Sequence, residues 1–197
     1  SGIGTLTFVR EDGTFGALGH PIIELSTNVA MDVSCGNVYR CAILGVKPAS
    51  RGSAGELKGM IINTNVPLGN IKNNSDYGIG GKLDWDRAES FKTRLIKLGG
   101  KLSMHPGKAM MYCSIDGKEI KPYEIEIIKT NYQSPQSPQN FVFRVIDEEL
   151  IDKTGGIVQG MSGSPIVQDE KLVGAVTHVF VNDATKGFGT YIDNMIN

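Results

Sequence analysis

Residues 159–168 read QGMSGSPIVQ, and two glycines, two serines and a proline occupy six consecutive positions of this stretch. Glycines on both sides of a serine allow a sharp backbone turn and let backbone N–H groups face a carbonyl oxygen. A serine hydroxyl is a useful nucleophile only when a base removes its proton and such donors receive the oxyanion. The stretch therefore predicts either an ordinary surface turn or a loop that presents Ser162 as a nucleophile, with the amides of Gly160 and Ser162 as oxyanion donors.

Three other interpretations of this loop fit the residues less well. The hydrolase elbow Gly-x-Ser-x-Gly requires a glycine where Ser164 stands. A phosphate-binding loop running from Gly155 to Gly160 requires a lysine where Met161 stands. Ser164 is the alternative nucleophile, although no Gly-x pair precedes it.

The base must come from three histidines. His20 ends the segment GALGH, His105 lies in MHPGK and His178 lies in AVTHVF. A single histidine in a strand is more often a packed or surface residue than a catalytic one, so these positions alone leave all three open. A base must be neutral to accept a proton, so a histidine base predicts activity that is lost in acid.

Short apolar runs between glycine-rich turns predict an all-β fold, and the chain contains 25 glycines in 197 residues. The first twenty residues read as strand, turn and strand, and the segment 162–182 reads as a hairpin turned by QDEK. Residues 63–83 are expected to be turn-rich and exposed. At least ten such strands would fit two small antiparallel barrels or a sandwich.

The predicted lobes are 1–83, which carries His20, and 101–197, which carries Ser162. A connecting segment at 84–100 is predicted to contain a short helix, with Asp84 as its N-cap and Gly99 as its stop. Its apolar residues follow a helical period; they are Trp85, Ala88, Leu95 and Leu98. The start at Ser1 suggests an excised fragment of a longer protein.

Charge and cysteine usage restrict the partners. The 20 basic and 21 acidic residues give a net charge of −1 without like-charge blocks, so neither nucleic acid nor a membrane surface is indicated. Cys35 and Cys41 are close enough in sequence to bridge a hairpin, but separate buried thiols, with Cys113 as the third, are favoured. Neither a CxxC nor an HxxxH pair occurs, so no metal is expected.

Several motifs together resemble the chymotrypsin-like serine peptidases: GTLTF and GALGH near the start, GMSGSP about 140 residues later, then LVGAVTH and GFGTYI. The stretches GALGH, KTGGIVQGMSGSP and VGAVTHVFVND resemble more closely the stage IV sporulation protein B serine peptidases. This resemblance runs from Gly2 to Met195. It implies a chymotrypsin-like double antiparallel β-barrel with one or two short helices, a Ser-His-Asp triad with an acyl-enzyme mechanism, and no cofactor.

Carried over by residue, the resemblance makes His20 the general base, Ser162 the nucleophile and Asp147 the acid that orients the imidazole. Asp147 lies only fifteen residues before Ser162, whereas chymotrypsin-like enzymes place their aspartate between the barrels. Asp76 lies in that interval and is the alternative. The non-catalytic interpretation of Asp147 is a solvated strand end.

The resemblance also assigns the substrate cleft and shows two departures. The strand at Thr177, His178 and Val179 would flank the cleft and pair with an extended substrate. Met161 replaces the aspartate that binds a newly cut N-terminus in trypsin-like enzymes, so packing or a partner must hold the oxyanion loop. Gly156 replaces the pocket acid, so this position offers a basic substrate side chain no countercharge.

The implied function is that of a sporulation signalling protease, a serine endopeptidase. Family members carry a membrane anchor and a PDZ domain, which are expected to be absent from this chain, and act in the space between the forespore and mother-cell membranes. They cleave themselves and a membrane-bound regulator of an intramembrane protease, which leads to activation of a late sigma factor. Two alternatives remain: a catalytically silent peptide-binding domain of the same fold, and an acyl hydrolase of small esters.

Overall fold

The structure, a computed structural model, describes residues 1–33, 35–84, 86–87 and 95–196. These described residues form sixteen strands and two short α-helices. In chain order the strands are β1 (Leu6–Val9), β2 (Thr14–Ala17), β3 (Ile23–Glu24), β4 (Val29–Ala30), β5 (Asn37–Val38), β6 (Cys41–Lys47), β7 (Glu56–Ile61), β8 (Gly69–Ser75), β9 (Gly78–Leu83), β10 (Lys97–Leu98), β11 (Gly107–Cys113), β12 (Lys121–Thr130), β13 (Phe141–Val145), β14 (Pro165–Gln168), β15 (Lys171–Phe180) and β16 (Asp183–Tyr191), and the helices are α1 (Glu148–Thr154) and α2 (Ile192–Ile196).

The second half of the chain forms a closed antiparallel barrel. Its strand order is β15-β14-β11-β12-β13-β16, and β16 pairs back onto β15 to close the ring. Alternate side chains of β12 point into the core, where Tyr123, Ile125 and Ile127 are buried. This period of two is the pattern that predicts a strand with one face in a core.

The first half forms an open five-stranded sheet with the order β1-β2-β9-β8-β5, next to a separate β6–β7 hairpin. A smaller core of Phe15, Ala17, Ile71 and Leu83 covers one face of the sheet. The predicted fold class, an all-β double barrel of the chymotrypsin-like type, is therefore confirmed. The second half of the chain forms a closed barrel, and the first half forms a half-barrel.

The expectation that residues 63–83 are turn-rich and exposed holds for residues 63–66 but is wrong for most of the remainder. The remainder contains β8 and β9, and β9 lies between β2 and β8. The glycines there are packing residues, since a Cβ on Gly81 would lie 2.0 Å from the Asn70 carbonyl oxygen and 2.9 Å from the Phe15 ring. A strand whose backbone lies very close to its neighbours requires glycines, and a glycine-rich strand has the same composition as a turn.

The helix predicted within 84–100 falls mainly on Trp85 and residues 88–94, which lie outside the described residues. Within the described part, Leu98 lies in β10, which pairs in parallel with the start of β15, so the expectation that the helix runs to a stop at Gly99 is wrong. Ile43 and Leu57 of the β6–β7 hairpin belong to the same buried cluster as the core of the closed barrel. The lobe boundaries at 83 and 101 stay a prediction.

The helix α1 was not expected from the sequence. Asp147 caps its N-terminus, and Gly155 ends it in the left-handed conformation with φ 72°. Among the described residues, no helix is long and apolar enough to cross a membrane.

The three cysteines are free. Cys35 is exposed, so the expectation of buried thiols is wrong for it, whereas Cys113 is buried. Burial raises the pKa of the Cys113 thiol to about 12.

Candidate active site

The serine loop (residues 159–164) connects the turn after α1 to β14, and two glycines shape it. Gly160 and Gly163 have φ values of 103° and 90°, a region that favours glycine. A Cβ on Gly163 would lie 2.3 Å from the Thr5 carbonyl oxygen and 2.4 Å from the Leu18 nitrogen. The loop therefore lies directly against the first half of the chain, just before His20.

His20 and Ser162 both lie near the C-terminal end of β15. The Ser162 Oγ donates a hydrogen bond to the Thr177 carbonyl oxygen at 3.3 Å. The ring of the next residue, His178, lies with its centroid 5.2 Å from that of His20. Within the described residues, no hydrogen bond joins Ser162 to the His20 ring.

The His20 ring is half-buried and its Nδ1 lies 2.9 Å from the Pro21 carbonyl oxygen. A carbonyl only accepts hydrogen bonds, so Nδ1 must carry the proton in this contact. In the neutral ring, Nε2 is then the unprotonated nitrogen. This is the tautomer that a general base requires.

Two backbone N–H groups of the serine loop are available as donors. Among the described residues, neither the Gly160 N–H nor the Ser162 N–H has an acceptor. The Gln159 carbonyl accepts from Leu57 N–H at 2.8 Å, and the Met161 carbonyl accepts from Ser164 N–H at 2.9 Å. A trans peptide places its N–H opposite its C=O, so these bonds set the directions of the Gly160 and Ser162 donors.

Two side chains of the loop are fully buried. Met161 is 0% exposed and belongs to the main core, so an apolar anchor occupies the position of the ion-pairing aspartate. Ser164 is also 0% exposed, and its hydroxyl donates to the Met161 carbonyl at 2.6 Å. A buried hydroxyl in this contact is poorly placed to attack a substrate, which leaves Ser162 as the better candidate.

Asp147 uses both carboxylate oxygens on the backbone. One accepts from Leu150 N–H at the start of α1, and the other accepts from Glu124 N–H, each at 3.1 Å. In the described residues, no hydrogen bond links Asp147 to His20. The structure thus places Asp147 as a helix cap that also holds β12.

Asp76 is exposed in the turn between β8 and β9. That turn lies beside the His20 segment, since a Cβ on Gly78 would lie 2.2 Å from the Ala17 carbonyl oxygen and 2.7 Å from the Gly19 nitrogen. No hydrogen bond joins Asp76 to the imidazole within the described part of the chain.

The strand residues Thr177, His178 and Val179 line an open edge next to the loop. β14 pairs with β15 only as far as Ala175, whereas β16 pairs with it on the other side as far as Phe180. His178 is exposed at the surface, but its ring is partly desolvated, and this desolvation, followed by the charge of His20, lowers the pKa of His178.

His105 lies outside this cluster. It is exposed, and its Nε2 lies 2.8 Å from an Asp169 carboxylate oxygen. Its Nδ1 also contacts a carbonyl, that of Pro106, and together these two acceptors raise the pKa of His105. This arrangement favours the charged ring, which cannot act as a base.

Sequence analysis did not identify Thr5 and Thr7 as residues of the site. The Thr5 N–H and hydroxyl donate to the carbonyls of Ser162 and Gly160, and the Thr7 hydroxyl donates to that of Gly163. In the sequence these two threonines alternate with apolar residues in GTLTF, a pattern typical of any strand. Their position beside the serine loop becomes visible only in the folded structure.

The family described as SpoIVB peptidase S55 matches this sequence over residues 1–196. The chain belongs to this family. As a SpoIVB-family protein it is a serine peptidase domain, and its substrate is a protein. No curated protein sequence matches the chain.

Solved structures similar to this SpoIVB-family chain include two forms of one protease. The inactive form of Rv3671c protease is 12% identical over 70% of this chain and 68% of that chain, with a TM-score of 0.45. The active form of Rv3671c protease from M. tuberculosis is 13% identical over 95% of this chain and 88% of that chain, with a TM-score of 0.43.

Proposed function

We propose that this chain cleaves peptide bonds with Ser162 as the nucleophile and His20 as the general base. The observation that carries the proposal is the packing of the serine loop against the His20 segment, beside two N–H groups without acceptors in the described residues. The Ser162 hydroxyl contacts β15 at Thr177, beyond the point where β14 stops pairing, and an extended chain could pair with this open edge.

In the acylation step, the Ser162 hydroxyl turns from the Thr177 carbonyl towards Nε2 of His20 and transfers its proton there. The serine oxygen bonds to the substrate carbonyl carbon, and the carbonyl oxygen becomes an oxyanion held by the Gly160 and Ser162 N–H groups. Collapse breaks the C–N bond, and His20 returns the proton to the leaving amine. A water deprotonated by His20 then hydrolyses the ester.

Three groups are candidates for orienting the imidazole: Asp147, Asp76 and the Pro21 carbonyl. The family resemblance assigns Asp147, whose contacts here support a capping role instead. The Pro21 carbonyl already selects the required tautomer, although a neutral carbonyl stabilises an imidazolium less than a carboxylate does. We therefore propose a Ser162–His20 pair oriented by Pro21, with Asp147 acting through the position of α1.

The substrate is proposed to add as a strand along Thr177, His178 and Val179. Their open edge offers backbone groups to an extended peptide, which is the usual mode of strand addition. This places the scissile bond next to Ser162, whose hydroxyl contacts the Thr177 carbonyl.

The biological role is proposed from the family alone. A SpoIVB-type peptidase is expected to cleave itself and a membrane-bound regulator of an intramembrane protease, leading to activation of a late sigma factor. The corresponding location is outside the cytoplasm, between the forespore and mother-cell membranes.

A fluorophosphonate probe tests the site. We expect labelling of the folded chain, with Ser162 rather than Ser164 in the labelled peptide by mass spectrometry. Ser162→Ala should abolish labelling, and His20→Ala should slow it by at least about 100-fold, within the range for loss of general-base assistance. His105→Ala is the matched control, because that histidine also contacts the carbonyl of its following proline, and it should label normally.

Three outcomes would contradict the proposal. A folded chain that never labels would favour the silent peptide-binding domain. Equal slowing by His20→Ala and His105→Ala would remove the base role of His20. Turnover of small esters with no cleavage of any protein or peptide would favour an acyl hydrolase.

A further inference from the structure

Two threonines at the start of the chain bind three carbonyl groups on both sides of the candidate nucleophile. Thr5 donates from its N–H to the Ser162 carbonyl and from its hydroxyl to the Gly160 carbonyl, both at 2.9 Å. The hydroxyl of Thr7, a residue only 7% exposed, donates to the Gly163 carbonyl at 2.6 Å. The contacts span more than 150 residues of sequence.

The peptide groups that contain these carbonyls are held at both ends. Their N–H groups, which belong to Met161, Gly163 and Ser164, donate to carbonyls at Val158, Val176 and Met161, respectively. Since each peptide group is planar, a bond at both its C=O and its N–H removes its freedom to rotate. The peptide groups that carry the Gly160 and Ser162 donors adjoin these fixed groups, so they cannot flip alone.

We infer that Thr5 and Thr7 are positioning residues that hold the Gly160 and Ser162 N–H groups in the direction needed to receive an oxyanion. This inference deepens the proposed function and rests on it for its catalytic meaning. The threonine hydroxyls act here as hydrogen-bond donors. A carbonyl that accepts such a bond cannot rotate towards the position that the oxyanion would occupy.

The threonine clasp, formed by the hydrogen bonds of Thr5 and Thr7 to the serine loop, also explains how this loop is held without an ion pair. Met161 packs into the core on one side of the loop, and the two threonines bind its backbone on the other. All of these contacts are uncharged, so the order of the loop should not depend on a new N-terminal amino group or on ionic strength.

Amide hydrogen exchange measures the clasp directly. We expect Thr7→Val, which keeps the side-chain shape but cannot donate, to speed exchange at Gly163 and Ser164 by at least about 10-fold. Thr5→Val should speed exchange at Met161, whose N–H shares a peptide group with the Gly160 carbonyl. Thr7→Ser, which restores the donor, should stay close to the parent. Thr190→Val is the matched control, because this buried threonine donates to Asn140 and not to the loop.

The same variants are then labelled with the fluorophosphonate probe. The Thr→Val changes should slow labelling of the folded protein by about 10- to 100-fold, below the 10²–10³ of losing one oxyanion donor outright, because the donors are misdirected and not removed. Thr7→Ser and Thr190→Val should label at nearly the parent rate.

Each result decides a separate point. Loop exchange that is unchanged in both Thr→Val variants overturns the clasp, and so does a Thr7→Ser variant as defective as Thr7→Val. If Thr7→Val does not fold, Thr5→Val with Thr190→Val as control decides. A parent chain that does not label overturns the proposed function, while the exchange data still show whether the threonines hold the loop.

Discussion

His178 lies beside His20 in the candidate cleft, and the neighbouring imidazole affects the protonation of His178. Their centroids are 5.2 Å apart, so a charge on His20 opposes a proton on His178. The lowered pKa of His178 has desolvation of its ring as its larger cause and the charge of His20 as its smaller one. At neutral pH His178 is therefore uncharged beside the serine loop.

An NMR titration of the imidazole signals tests this view. We expect the His178 midpoint to lie below the ordinary histidine value of about 6.5. In His20→Ala the midpoint should rise only part of the way, because the desolvation of the ring remains. Since the unfolded chain binds this proton more readily, folding stability from His178 is present above the unfolded pKa and is lost as pH falls through the folded one. A midpoint at or above the ordinary value would contradict the assignment.

At the scale of single elements, α1 connects the closed barrel to the serine loop. Asp147 starts the helix and also binds Glu124 of β12, while the left-handed Gly155 ends it. A Cβ on Gly155 would lie 2.4 Å from the Ala49 carbonyl oxygen, so the helix end also packs against the chain near β6. A cap at this position affects the serine loop through the helix and not by contact with the imidazole.

The pair Asp147→Ala and Asp147→Asn separates a cap from a triad acid. Alanine should lower the free energy of unfolding by about 1–2 kcal/mol, as loss of an N-cap does. Asparagine keeps one acceptor for Leu150 N–H but has none for Glu124 N–H, so it should recover only part of that loss. Urea denaturation gives the stabilities, and fluorophosphonate labelling gives the rate of the folded fraction.

For a capping role, Asp147→Asn should label within a few-fold of the parent rate. A triad acid behaves differently, because its replacement by asparagine lowers the rate by about 10⁴. A fall of that size with unchanged stability would return Asp147 to the triad.

At the scale of the whole molecule, the two halves meet at glycines. Gly163 touches Thr5 and Leu18, while a Cβ on Gly19 would lie 3.0 Å from Thr177 of the closed barrel. Two backbones that approach this closely leave no room for side chains between them. The candidate site therefore exists only when both halves are assembled.

Replacement of Gly163 by alanine should disrupt this junction. Left-handed strain costs about 1–2 kcal/mol and overpacking about 1–3 kcal/mol, so Gly163→Ala should lose about 2–5 kcal/mol. Gly52→Ala is the control: its φ is 76°, but nothing lies within 4 Å of the added Cβ, so only the strain applies. Equal losses for the two variants by urea denaturation would mean that the junction tolerates a side chain.

Local patterns in the sequence were sufficient for much of the second barrel. The period of two in β12 and the QDEK turn between β14 and β15 depend only on neighbouring residues, and the structure confirms both. The same local patterns misled at β8 and β9, where glycines serve close packing against Phe15. They also missed α1, whose seven residues are too few to show a helical period.

The sequence by itself determined the all-β class and the SpoIVB-type family. It also singled out His20 and Ser162, which we propose for catalysis. These depend on residue types at short spacings, which a linear chain displays directly. Only the tertiary structure decided that Asp147 caps a helix, that Pro21 binds the His20 ring and that Thr5 and Thr7 clasp the serine loop. Hydrogen bonds between residues 155 and 156 positions apart form only after the sheets pack, so no local pattern encodes them.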